Sequence, residues 1–111
     1  MSLTSVDLLE ELRAALDGVE PLIAGRIVDI EMSRLRVLVD PVRFREEFTT
    51  LMESAVAGAD SGLPITVRVA RKGSSVRIEV VVERGGARSD VVMGSISLPL
   101  APGASSSQGD A

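Results

Sequence analysis

Ile65-Thr66-Val67-Arg68-Val69-Ala70-Arg71-Lys72-Gly73-Ser74-Ser75-Val76-Arg77-Ile78-Glu79-Val80-Val81-Val82 is the stretch on which the fold turns. Ile65, Val67 and Val69 alternate with Thr66 and Arg68, and Val76, Ile78, Val80 and Val82 alternate with Arg77 and Glu79. A period of two marks a strand with one buried face. A turn centred on Gly73-Ser74 pairs Val69 with Ile78, Val67 with Val80 and Ile65 with Val82, and sets Arg68 opposite Glu79. A slip of one residue would put Arg77 beside Val69 and turn one apolar set to the wrong face. The pattern predicts one antiparallel hairpin in one register.

Downstream, Glu83-Arg84-Gly85-Gly86 breaks the alternation, and a short polar connector follows. Val91 to Leu100 resumes as a last strand that ends near Pro99. The tail from Ala101 to Ala111 is rich in Ser and Gly and is expected to be disordered.

Upstream, Asp40-Pro41 opens a helix predicted over Pro41–Ala57. Asp40 suits the cap, and Pro41 suits the first helical position because its missing N–H has no intrahelical partner there. Phe44, Phe48, Leu51, Met52, Ala55 and Ala59 mark one face, and Gly58 or Ser61-Gly62 ends it. Before it, Val28, Ile30 and Met32 alternate with Asp29 and Glu31, and Leu35, Val37 and Val39 follow. A two-residue turn at Ser33-Arg34 would make these a second hairpin, with Glu31 opposite Arg36. The first segment places Leu8, Leu9, Leu12, Ala15 and Leu16 at helical spacing. It predicts an amphipathic helix Val6–Leu16, with Thr4 and Asp7 as a capping box and Gly18 as a stop. Pro21 and Gly25 punctuate the connection that follows.

The chain has 111 residues, room for one domain with one core, and 45% of them are apolar. Phe44 and Phe48 are its only aromatics, so Val, Leu and Ile must build that core. This composition suits a mixed, mostly antiparallel sheet covered on one face by both helices. Arg68, Arg77 and Glu79 would lie on the more polar opposite face.

A net charge of −4 and the near absence of aromatics argue against nucleic-acid binding, which needs a basic footprint or stacking platforms. No apolar run approaches the ~20 residues that cross a bilayer. The first residues carry neither the basic start nor the apolar block of a signal peptide, so a cytoplasmic location is expected. The chain has no Cys and no His. That excludes disulfides, thiolate nucleophiles, zinc clusters of Cys and His, Ser-His-Asp triads and phosphohistidine on this chain.

Val37-Leu38-Val39-Asp40-Pro41-Val42-Arg43-Phe44 resembles the short strand and D-P-x-R-L/F run that leads sensor histidine kinases into their Asn-bearing helix. With the order of elements, it makes residues 4–100 similar to the ATP-binding domain of those kinases, a two-layer α/β fold shared with type II topoisomerases and Hsp90-like chaperones. The resemblance implies an N-L-L-x-N-A-x-K pattern on the helix. Here the stretch reads Thr50-Leu51-Met52-Glu53-Ser54-Ala55-Val56-Ala57, with Ser54 where the Mg²⁺-holding Asn would stand. It also implies a D-x-G-x-G motif that reads adenine, and here Glu83 and Gly85 keep only the first spacing. The family's long lid over the phosphates has only Ala87 to Val92 in its place, while Gly94-Ser95-Ile96-Ser97-Leu98-Pro99-Leu100 resembles the family's last strand.

Ser54, Glu83 and Gly85 are therefore the candidate nucleotide-binding positions, as relics of that motif set. Each has a plainer reading beside it. Ser54 suits a hydroxyl bonding back to its own helix. Glu83 suits a solvated strand-end carboxylate, and Gly85-Gly86 a turn. No catalytic residue and no metal ligand is assigned, and no cofactor is expected unless ATP and Mg²⁺ still bind. The resemblance implies a degenerate interaction or regulatory module in two-component phosphotransfer. Its partner would be a protein: a response regulator or a His-bearing helical domain. A divergent but working ATP-binding domain and an unrelated α/β binding module are the alternatives. Arg34, Arg36, Arg43 and Arg45 cluster in sequence and suit an acidic partner, or solvent.

Overall fold

A computed structural model of the chain describes residues 3–23, 26–58, 63–84 and 89–101, without the side chains of 83, 84, 89 and 90. In chain order its elements are β1 (Thr4–Asp7), α1 (Leu8–Gly18), α2 (Glu20–Ile23), β2 (Val28–Glu31) and β3 (Arg36–Val39). There follow α3 (Pro41–Gly58), β4 (Ile65–Lys72), β5 (Ser75–Arg84) and β6 (Ser89–Pro99).

The hairpin β4–β5 stands in the register that the apolar alternation requires. Val69 pairs with Ile78, Val67 with Val80, Ile65 with Val82 and Arg68 with Glu79. Gly73 takes the turn with φ +62°, a conformation that side chains resist and glycine adopts freely. The strand does not break at Glu83-Arg84, as the sequence suggested, because β5 runs through Arg84. Gly85 and Gly86 lie outside the described residues.

The expected hairpin between residues 28 and 39 does not form. β2 pairs parallel with β4, with Val28 beside Ile65 and Ile30 beside Val67. β3 pairs antiparallel with a strand the sequence had hidden, β1, with Val6 beside Val37 and Thr4 beside Val39. Alternation states which face a residue uses, not which strand lies next to it. A two-residue hairpin turn needs positive φ, and Ser33-Arg34 offers neither Gly nor Asn for it. A parallel pair needs a long crossover instead, and β3 with α3 supplies it between β2 and β4. Glu31 accordingly meets Arg68, whose Nε lies 3.3 Å from its Oε1. Arg36 donates to the Ser5 hydroxyl at 3.3 Å and to the Ser5 carbonyl at 3.1 Å.

The first helix starts two residues later than expected. Asp7, not Thr4, is its cap: one carboxylate oxygen accepts from the amides of Leu9 at 3.0 Å and Glu10 at 3.4 Å. Gly18 is still helical, and Val19 closes the helix. Pro21 lies inside the short α2, and Gly25 is outside the described residues. At α3 the expected start holds. Asp40 accepts from the amides of Val42 at 3.2 Å and Arg43 at 3.4 Å.

The two sheets have the orders β1-β3 and β2-β4-β5-β6. They meet where Leu100 bridges Val37 and the Ala101 amide donates to the Arg36 carbonyl at 3.0 Å. Ala101 is thus buried rather than part of a disordered tail, and residues 102–111 lie outside the described residues.

One core unites the layers. Leu8, Leu12 and Ala15 from α1 and Phe44, Phe48, Met52 and Ala55 from α3 meet Ile65, Val67, Val76, Ile78, Val80, Val82 and Ile96 of the sheet. Both helices therefore serve the same face, and Arg45 on α3 ties to Glu11 on α1 at 3.2 Å. The opposite face carries the Arg68–Glu31 pair and an Arg77–Glu79 pair at 3.5 Å. Val81 alternates onto that polar face yet is buried, beside Thr66 on one strand and Val92 on the other. Among the described residues no helix is long and apolar enough to cross a membrane.

Candidate functional site

Ser54 lies on α3, three residues after Leu51 and four before Gly58, a spacing that sets all three along one helix stripe. The stripe borders β6. Leu51 packs on the backbone of Gly94, and Met93 reaches across to Gly58; a methyl group added at either glycine would run into the facing side chain. Ser54 itself is exposed. The hydroxyl seen bonding back into this helix is that of Thr50, onto the Glu46 carbonyl at 3.1 Å.

Glu83 is placed only by its backbone, in β5 opposite Asp90 of β6. Its side chain and the whole of Gly85 lie outside the described residues. The structure therefore fixes one of the three candidate positions in full, and it does not bring the three together as a described site. Among the described residues no group of three or more Asp, Glu, His or Cys converges.

The strand pairing decides what fits here. β5 and β6 pair through Glu83–Asp90 and Arg84–Ser89, so residues 85–88 are all that connects them. A lid that folds over three phosphates cannot be made from that connection. On the other side, the Leu51–Gly94 and Met93–Gly58 contacts seat the second half of α3 directly on β6. The two glycines were legible in the sequence only as a helix stop and as part of a strand. Their packing role needs the helix-to-strand distance, which no local pattern states.

Grooves run beside α3 among the described residues. One of about 430 Å³ is lined by Glu47, Thr50 and Leu51 of α3 and Ser95, Ile96 and Ser97 of β6. Another of about 220 Å³ lies at the start of α3, between Leu38 and Asp40 on one side and Ser97 and Pro99 on the other. Three of the four clustered arginines face a carboxylate. Arg34 lies 3.8 Å from Asp7, Arg43 3.1 Å from Glu47 and Arg45 3.2 Å from Glu11, while Arg36 is bonded to Ser5.

No protein-family model matches the sequence, and no curated protein matches it. Solved structures do match. The nucleotide-free catalytic domain of histidine kinase ThkA aligns at 21% identity over 77% of this chain and 61% of that one, with a TM-score of 0.64. The Acinetobacter baumannii histidine kinase AdeS aligns at 14% identity over 78% of this chain and 44% of its own, with a TM-score of 0.66. ThkA in complex with the response regulator protein TrrA aligns at 20% identity over 75% of this chain and 26% of that one, with a TM-score of 0.62. The chain has the fold of a histidine-kinase catalytic domain and spans less than two thirds of the length of each of these structures.

Proposed function

We propose that this chain is a signal-transduction domain that keeps the architecture of a histidine-kinase catalytic domain and works through its surface rather than through ATP. The carrying observation is the direct β5–β6 pairing, which leaves residues 85–88 where a phosphate-covering lid would be. Ser54 in place of a metal-holding Asn, and Glu83 in place of an adenine-reading Asp, point the same way. Glu83 and Gly85, like Ser54, are then relic positions. The partner is a protein of the phosphotransfer system, either a response regulator or a His-bearing helical domain, since this chain has no His of its own. ThkA, which shares the fold, forms a complex with a response regulator protein.

Two titrations test this reading. Calorimetry with ATP and Mg²⁺ is expected to give no binding heat, and sub-millimolar binding would support a divergent, working ATP-binding domain instead. Receiver domains from the same genome, added to isotope-labelled chain, are expected to shift resonances on one continuous surface. Resonances unmoved by every receiver domain and every His-bearing helical domain would remove the docking role.

A further inference from the structure

Arg34, Arg43, Arg45, Arg68 and Arg77 each face a carboxylate, but Arg36 and Arg71 are held differently. Arg36 donates to the hydroxyl and carbonyl of Ser5, and Arg71 Nε donates to the Gly73 carbonyl at 3.3 Å. These acceptors are neutral. A guanidinium oriented by them keeps its full charge and its remaining N–H donors. Lys72, beside Arg71, has no ion pair among the described residues. All three cations are exposed. The backbone brings them, far apart in sequence, to one end of the fold. The Leu100 amide donates to the Ser74 carbonyl at 3.1 Å, and the next amide, that of Ala101, donates to the Arg36 carbonyl at 3.0 Å. The Gly73 turn and the start of β3 are thus two strand spacings apart, about 10 Å. Acids nearby are already engaged. Asp7, opposite Arg36, caps α1 and faces Arg34, and Glu79 faces Arg77.

We infer that this end, the Gly73 turn with the start of β3, docks an acidic segment of the protein partner. The inference rests on the reading that the chain works through such a partner, and it adds the surface and the chemistry that surface selects. Carboxylates match guanidinium groups in charge and in fork geometry. Arg36 and Arg71 are oriented before the partner arrives, which lowers the ordering cost of binding. The charge of the whole chain decides the class of polyanion. At a net −4, a nucleic acid or an anionic membrane laid along the molecule would meet repulsion beyond this end. A compact acidic loop touches the end alone, and physiological salt screens the remaining charge beyond about 8 Å.

The test is a titration of isotope-labelled chain with a glutamate-rich peptide, at about 0.01 M and about 0.15 M salt, where the screening length falls from about 30 to about 8 Å. Resonances of Arg36, of the Arg71–Ser74 turn and of Ala101 are expected to move, and binding is expected to weaken with salt. Arg71→Gln and Lys72→Gln are each expected to weaken binding about two- to fivefold, the reach of one exposed ion pair, with unchanged circular dichroism. Arg13→Gln removes the same charge from α1, where Arg13 likewise has no ion pair among the described residues, and is expected to leave binding unchanged. Shifts spread over α1 and α3, or an equal loss in Arg13→Gln, would overturn the inference. So would tighter binding of oligothymidylate or of phosphatidylserine vesicles than of the peptide. The peptide carries no phosphotransfer chemistry, which keeps the two readings apart. A receiver or His-bearing domain that binds without moving this end retires the present inference alone. Peptide binding at this end, with no such domain binding anywhere, retires the phosphotransfer partner and keeps the acidic docking surface.

Discussion

Leu51 on α3 rests on the bare backbone of Gly94 in β6, closely enough that a methyl group there would occupy the place of its Cδ2. The contact seats the second half of the helix on the strand. Gly94→Ala should therefore destabilise the domain by ~1–3 kcal/mol, the usual cost of overpacking. In a Leu51→Ala background the same change should cost at least ~0.5 kcal/mol less, because the clashing atoms are gone. Urea denaturation of the four proteins measures this, and strictly additive effects would mean that the two residues do not touch.

Phe48 is fully buried at the centre of the α3 stripe, with its ring 5.9 Å from that of Phe44. Phe48→Ala should cost ~3–5 kcal/mol, as for other large core side chains. Much of the stability of a domain this size is at stake, so the variant should be poorly folded near body temperature. An unchanged denaturation midpoint would show that this face is not the core.

What was legible divides along one physical line. The β4–β5 hairpin and the Asp40 cap could be read because each is settled by residues close in sequence, and the shared helix face because apolar spacing marks the buried side of every element. Gly73 turns its own hairpin, and Asp40 bonds the amides of Val42 and Arg43. The partners of β2 and β3 could not be read, because Ile30 would show the same alternation beside Val37 as beside Val67. β1 is short, and the helical spacing of Leu8, Leu12 and Ala15 drew its residues into the helix reading. At the candidate site, the missing lid was visible as a short count of residues. The closure of α3 onto β6 was not visible, because it depends on glycines separated by an entire hairpin.

The correction at the first helix can be checked directly. Asp7 caps α1, so Asp7→Ala should cost ~1 kcal/mol, within the usual 0.5–2 kcal/mol for a lost cap. Its contact with Arg34 at 3.8 Å adds little, because the arginine is largely exposed. Thr4 is exposed in β1, and Thr4→Ala should stay within about 0.5 kcal/mol of the native chain. Equal losses at the two positions would restore Thr4 to the capping role.

ATP decides the function, and neither turnover nor autophosphorylation is expected of this chain alone. Phosphoryl transfer to His has no acceptor here, since the chain has no His. Turnover faces a separate obstacle. The reaction depends on positioning and on neutralising charge at the β- and γ-phosphates. In the family that the fold matches, the resemblance assigns those tasks to a metal held by the helix Asn and to donors from the lid. Ser54 stands at the first position, exposed on α3, and the β5–β6 connection of residues 85–88 stands at the second. Losing one good oxyanion-type donor typically raises a barrier by about 2.7–4 kcal/mol, so losing several leaves only background rates. Ser54→Asn should not restore activity, because the connection would still be too short to reach the phosphates. The measurement is steady-state phosphate release against a buffer control, with native, Ser54→Asn and Glu83→Ala chains in parallel. Sustained release by the native chain that Glu83→Ala abolishes would establish a working nucleotide site and return the chain to the active kinases.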